Sequence, residues 1–564
     1  MKRDRRRPRT RRLRIIAQDP AVRGRDGRIL TAAVEIPAED LQPGPRGYRV
    51  QVVDYDATHG VLYKPAIWKR IEDPYLTASD DTLLTDPGFH RQNVYAIVMR
   101  TLARFEHALG RRIGWSFSSH QLQIAPHAFL SANAFYSREH QALVFGYFPG
   151  SKGVVFTCLS HDVVAHETTH ALVDGLRERY SDPSSPDQAA FHEGFSDVVA
   201  LLSVFSLPEV VEYLLDARFR HGDPSRVAAT ALTPERLRRS ALFGLAEQMG
   251  RELAALRGGA LRQSAMLPPS PKHLSSEEFL EPHRRGEVFV AAMLNSFLRV
   301  WTNRLLGLGQ VAPGYYNRQR VAEEGASAAK HLLTMAIRAL DYSPPTDLEF
   351  QDYLSALLTA DAEIQPDDSR YEYRRALRET FQAYGIVPTS RGPEGTWEPP
   401  EGPLAYDLTH FESMQRDPDE VFRFLWENRK TLGLCEDAYS RVISVRPCVR
   451  VAPDGFLLRE TVAEYIQVLQ VEARELKRTG IQKPPGMPGD AAVSLYGGGA
   501  LIFDEYGRLK YHVRNKILNP DKQSRRLKHL WDYGYFDKGN TALRRISFLH
   551  RRRMMDLPME KMEA

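Results

Sequence analysis

Two histidines four residues apart, with a glutamate directly after the first, constrain this chain more than any other feature: His166, Glu167 and His170. On an α-helix, positions i and i+4 lie one above the other, so both imidazoles project the same way. A single zinc ion can be held by such a pair, and the carboxylate between them is placed to act on a water at the metal. The surrounding segment reads as a helix on independent grounds. Ser160 suits an N-cap, and Asp162 suits the positive end of the helix dipole. Val163, Val164, Leu172, Val173 and Leu176 supply apolar positions at helical spacing. The plainer alternative is a solvated helix with one polar face.

Such a site needs a third ligand. The next apolar, helix-like run, 188–203, carries Glu193 and Asp197 four residues apart on one face. Acidic groups in so apolar a stretch need partners if they are buried. Glu193 as third zinc ligand and Asp197 as the acceptor that orients a ligand imidazole would meet that need. The alternative is that both acids face solvent.

At this point the chain resembles the thermolysin-like (gluzincin) zinc metallopeptidases. Asp162 through Ala171 is close to that family's zinc helix, and Phe191 through Asp197 to the helix carrying its third ligand. Asn133 to Tyr136, followed by Leu143 to Gly146, is similar to the edge strand that binds peptide substrate. The similar elements run in the family's order over about residues 50 to 388. The resemblance implies His166, His170 and Glu193 as ligands to one Zn2+, and Glu167 as general base and proton shuttle. It implies Tyr180 and His283 as donors to the oxyanion, Asn133 and Ala134 as the strand that aligns substrate, and Arg262 as a substrate-carbonyl ligand. It also implies an α+β fold with a β-rich N-terminal lobe and a mostly helical C-terminal lobe. The departures are local. The loop between His170 and Glu193 is longer than in the family, and the spacing around His283 differs slightly. Asp162 matches a calcium-ligand position, but Val204 stands where its acidic partner is expected, which argues against a paired calcium site.

A hydrophobic content of 43% and a charged content of 26% describe an ordinary globular chain, and 564 residues exceed one core. No apolar run approaches a membrane span. The first residues are strongly basic with no apolar stretch after them, so they do not read as a signal peptide. The expected location is cytoplasmic as synthesised, with non-classical export open. The net charge of +5 is small. The basic runs read as solvated tails rather than a nucleic-acid surface, since no nucleic-acid-binding motif accompanies them. Three cysteines, Cys158, Cys435 and Cys448, are too few for a disulfide framework. Cys158 reads as a small buried side chain, although a thiol so near the zinc helix could compete for metal.

Along the chain, 1–45 is expected to be a basic, poorly ordered segment, 46–160 the β-rich lobe with much antiparallel sheet, and 161–386 the helical lobe. The Pro- and Gly-rich stretch 387–403 reads as a linker, and 404–564 as an α+β extension able to recruit a protein partner. In that extension 419–428 and 462–477 are expected to be helical, short strands are expected from 492 to 513, and Gly497 to Gly499 reads as a strand turn.

The leading expectation is a zinc endopeptidase acting on polypeptides. A catalytically silent peptide-binding protein on the same scaffold is the alternative from another class, and a target-specific, toxin-like protease is a third reading. An aminopeptidase would need a segment that grips the free amine, and none is evident.

Overall fold

The computed structural model describes residues 9–536 except 25, 69–71, 151–152, 183, 217–222, 240–263 and 265–266. The fold is mixed α+β. Arg262 lies outside the described residues.

The N-terminal segment is ordered where disorder was expected. Thr10–Ile16 and Thr31–Pro37 form an antiparallel hairpin with Leu13 opposite Val34. The arginines concealed the strand signal. Alternation buries Leu13 and Ile15, and on the same face Arg11 lays its guanidinium 4.8 Å over the Trp68 ring. Arg14 donates to the carbonyl of Ala78. The hairpin packs on the long helix Pro87–Leu109, which ends in a left-handed glycine, Gly110.

The central sheet runs Val50–Val52, Leu122–Leu130, Ala142–Gly150, Ala134–Ser137. Its first two pairings are parallel and the third antiparallel, so it is a mixed sheet rather than a mainly antiparallel one. Ala134–Ser137 forms one edge of this order.

Behind the sheet lies the helix His161–Leu176, every residue of which is buried except Gly175. Ser160 stands at its N-cap, but the hydroxyl donates to Asp162 Oδ1 at 2.5 Å instead of capping the backbone. His161 is fully buried between Ala17 O and Ser203 Oγ, each 3.1 Å away. Burial pushes its pKa well down, so the ring is neutral.

Pro186–Phe205 packs on this helix, Pro282–Leu306 and Arg318–Ala339 pack on Pro186–Phe205, and Phe350–Ile364 and Tyr373–Ala383 pack on Arg318–Ala339 and Pro282–Leu306 respectively. The first two cross at a pair of glycines. A Cβ on Gly194 would lie 3.1 Å from Gly286 O, and one on Gly286 would lie 3.1 Å from Ala190 O. This close approach brings Glu193 and His283 together. Among the described residues no single helix is long and apolar enough to cross a membrane.

Residues 387–403 do not behave as a free linker. They strap across the helix Phe350–Ile364, with the Trp397 backbone N–H on Thr359 Oγ1 at 2.8 Å and its indole N–H on Tyr342 O at 2.9 Å.

The extension is a four-stranded antiparallel meander, Tyr439–Val451, Leu457–Glu472, Ala492–Phe503 and Leu509–Asn515, flanked by the helices Pro418–Glu427 and Pro520–Asp532. The helix expected over 462–477 is therefore mostly strand. Both faces of that strand are covered, which hid its period of two. Ala463 and Tyr465 pack with Val421 and Phe424 of the extension's own helix. Glu460 and Glu464 turn the other way, to Tyr342 and Arg177 of the main body. The run Gly497 to Gly499 lies inside a strand rather than at a turn. A Cβ on Gly497 would sit 2.7 Å from Ile517, and one on Gly499 2.8 Å from Val513 O.

One buried acid sets a pH dependence. Asp19 is nearly inaccessible, and burial, helped by the charge of Asp162, raises its pKa from 3.8 to about 7. The fold thus favours its protonated form. The associated stability is complete below the ordinary carboxylate pKa and is lost as pH rises through about 7. Asp19→Asn keeps the acceptor for the Ala21 N–H. We expect this variant to gain roughly 2 kcal/mol on the wild type between about pH 5 and 8. Denaturant titrations at the two pH values check this, and parallel curves would contradict it.

Candidate metal centre

His166 and His170 project from one face of the buried helix, as their spacing requires, and their Nε2 atoms lie 2.8 Å apart. From the next helix Glu193 approaches both. Its Oε2 is 3.6 Å from His166 Nε2 and its Oε1 is 3.7 Å from His170 Nε2. The three side chains are buried, and their ligand atoms all fall within 4.8 Å of one another. One helical turn past Glu193, Asp197 Oδ1 lies 2.7 Å from His166 Nδ1. A carboxylate there accepts the Nδ1 hydrogen and leaves Nε2 as a lone-pair donor toward Glu193.

The chemistry of this donor set fits zinc. Two imidazoles and one carboxylate on two helices could supply three ligands and leave a fourth position for solvent. His170 Nδ1 lies 2.8 Å from His192 Nδ1 and 3.3 Å from Ser196 Oγ. The rings of His170 and His192 stack at 4.8 Å. His192 and Ser196 are partners that the sequence reading missed, although His192 is the immediate neighbour of Glu193.

Glu167 is fully buried, and its Oε2 accepts the backbone N–H of Tyr136 at 2.9 Å. That bond ties the carboxylate to the edge strand. Asn133 and Ala134 stand at the start of the same strand. Asn133 Oδ1 accepts the Ala134 N–H at 2.7 Å, and Asn133 O accepts the Gly146 N–H at 2.7 Å. The Tyr136 hydroxyl donates to Asp174 on the His161–Leu176 helix at 2.9 Å, so the strand is held to that helix at two points.

His283 reaches the rim of the site, with Nε2 3.9 Å from Glu193 Oε2. Its Nδ1 lies 2.7 Å from Glu281 Oε1. Burial alone would raise the pKa of Glu281, but the hydrogen bond and charge of His283 and nearby backbone N–H groups outweigh it and hold it at about 2. An ionised Glu281 fixes the hydrogen on Nδ1. Glu281, two residues before the histidine, was not singled out in the sequence.

Tyr180 does not join the site. Its ring is fully buried against Phe191, and its hydroxyl donates to Pro344 O at 2.7 Å. The short helical turn Glu178–Ser181 that follows the His161–Leu176 helix carries the ring into the core. The role expected for Tyr180 is corrected accordingly. Tyr180→Phe is expected to cost about 1 kcal/mol of stability through one lost buried hydrogen bond, and to leave kcat/KM for any activity of the site within about twofold. A large fall in kcat would return the ring to the chemistry.

No family model matches this chain, and no curated protein matches it significantly.

Proposed function

We propose that the chain is a zinc-dependent endopeptidase of the thermolysin-like kind, with one Zn2+ held by His166, His170 and Glu193. The observation that carries this reading is the facing pair of Nε2 atoms, 2.8 Å apart, with both oxygens of Glu193 within 4 Å of them. With the His166 Nδ1 hydrogen committed to Asp197, its Nε2 lone pair faces His170 Nε2 and the Glu193 carboxylate, a set of atoms suited to surround one cation.

A zinc ion supplies a Lewis acid that polarises the scissile carbonyl and lowers the pKa of a water to about 7. The protein's residues do the rest. Glu167, oriented by the Tyr136 N–H, takes the proton of the attacking water and returns it to the leaving amine. Asp197 keeps His166 in the tautomer that can bind metal. His283, anchored through Nδ1 on Glu281, presents Nε2 at the rim of the site; as the imidazolium, with a hydrogen on each nitrogen, it would donate from Nε2 to the charge developing on the carbonyl oxygen. The edge strand Ala134–Ser137 offers backbone groups to an extended substrate, the mode of recognition by strand addition.

The test is hydrolysis of an unfolded protein by the full chain before and after removal of metal by a chelator. We expect cleavage at internal peptide bonds to be lost on stripping and restored by about one equivalent of zinc. Zinc binding without cleavage would favour the silent peptide-binding scaffold. Undiminished cleavage after stripping would contradict the proposal.

A further inference from the structure

A second buried cluster repeats the construction of the first in another part of the molecule. His90 on the helix Pro87–Leu109, His127 on the strand Leu122–Leu130 and Cys158 on the turn Thr157–Leu159 offer ligand atoms that all fall within 4.8 Å of one another. None is more than 6% exposed.

The hydrogen bonds around the two rings decide which nitrogens carry hydrogen. His90 Nε2 lies 3.0 Å from the carbonyl of Leu84. A carbonyl only accepts, so Nε2 carries its hydrogen. His127 Nδ1 lies 2.9 Å from Asp54 Oδ1, while Asp54 Oδ2 takes the Arg91 guanidinium at 2.7 Å. An ion-paired carboxylate also only accepts, so His127 Nδ1 carries its hydrogen. What remains is His90 Nδ1 facing His127 Nε2 at 2.8 Å, lone pair to lone pair in neutral rings. Something positive belongs between them, and a thiol stands alongside. The carboxylate and the carbonyl behind the rings are the partners that metal-binding histidines use to fix tautomer and orientation.

We infer that His90, His127 and Cys158 bind a second transition-metal ion of the zinc class, distinct from the one proposed at His166, His170 and Glu193. Two imidazoles and a thiolate are a soft, nitrogen- and sulfur-rich set that prefers zinc to calcium or magnesium. On binding, the Cys158 thiol gives up its proton to solvent, and the sulfur becomes a thiolate ligand. The two rings part by about half an ångström to reach tetrahedral spacing. The Phe156 ring, 4.6 Å from His90 and 5.3 Å from His127, walls the cluster with apolar surface.

The position gives the ion a structural role. It joins the long helix, the central sheet and the turn that leads into the metal helix. That turn is also tied by Asn93, which donates to Cys158 O at 3.0 Å, and by Thr157, which donates to Gly146 O at 2.9 Å beside the edge strand. A bolt at this point holds the edge strand and the His166 helix in register.

The test uses the full chain with zinc and with cobalt as the probes. Wild type is expected to carry about two metal ions per chain, and the double variant His166→Gln/His170→Gln about one. Loaded with cobalt, that double variant should keep the near-ultraviolet thiolate-to-cobalt charge-transfer band, because the first site has no sulfur ligand. Cys158→Ser should lose the band and one equivalent of metal, and His127→Gln should lose the equivalent as well. Cys435→Ser/Cys448→Ser should keep the band. A folded wild type that takes up cobalt without the band would overturn the inference, leaving a shared proton between the rings. This arm needs no variant, so it holds even where Cys158→Ser fails to fold. Failure of the peptidase reading is separable, since it would leave the band in place.

Discussion

Glu167→Gln should reduce cleavage of an unfolded protein substrate by at least ~10³-fold while leaving the metal content of the chain unchanged. The separation of the two readouts follows from geometry. Glu167 lies on the metal helix between the two histidines, but it is bound to the Tyr136 N–H and belongs to the edge strand's side of the site. The candidate metal ligands are His166, His170 and Glu193. Glutamine fills the same space and its carbonyl can accept the same N–H, so the fold and the metal site should survive. Only the capacity to hold and return a proton is removed. The measurement is kcat/KM beside metal analysis on the same preparations. Equal turnover in both proteins would take Glu167 out of the mechanism, and a parallel loss of metal would make the residue a structural support.

The second large effect falls far from that site. Arg450→Met should destabilise the full chain by about 3–5 kcal/mol. Arg450 is completely buried and is paired with Asp341 of the main body and Glu460 of the extension's sheet. Asp341 is also gripped by Arg111 at 2.5 Å, and Glu460 by Lys510 at 2.8 Å and by the Tyr342 hydroxyl at 2.6 Å. Methionine matches the bulk of the arginine stem but leaves the two carboxylates short of a cation in a site closed to water. Burial pushes the Asp341 carboxyl up, and Arg111 and Arg450 together more than reverse this, holding it well below the ordinary range. The stability is therefore present at neutral pH and fades only in strong acid. Urea unfolding at pH 7 reads the loss. A change below about 1 kcal/mol would show that the network contributes no more than exposed pairs do.

The same network shows why the role of the extension was hard to read from the chain. Its anchoring groups, Arg177, Asp341, Arg450, Glu460 and Glu464, are charged residues scattered over almost 300 positions, each ordinary in its local context. Only the fold brings them together. The strand Leu457–Glu472 was hidden for a related reason: with one face on a helix and the other on the body, its apolar and charged positions follow no simple alternation. The N-terminal hairpin was masked by arginines that lie along apolar surface with their guanidinium groups stacked on a ring or hydrogen-bonded to backbone carbonyls.

The grouping of His166, His170, Glu193 and Asp197 was far more legible. His166 and His170 share a face because of helix geometry alone, and Glu193 and Asp197 likewise, so two short motifs fix four side chains once the helices meet. The meeting itself depends on Gly194 and Gly286, whose significance is invisible until the helices cross. Tyr180 was misplaced because its distance along the chain says nothing about which way a short helical turn carries its ring. His192 and Glu281 were passed over because a side chain that orients a ligand has no spacing signature of its own.

The most direct test of the central claim is anomalous diffraction at the zinc edge from crystals of the full chain grown with zinc. The account predicts a peak within about 2.0–2.2 Å of His166 Nε2, His170 Nε2 and a carboxylate oxygen of Glu193. A map with no peak there, with Glu193 turned away from the paired imidazoles, would contradict it.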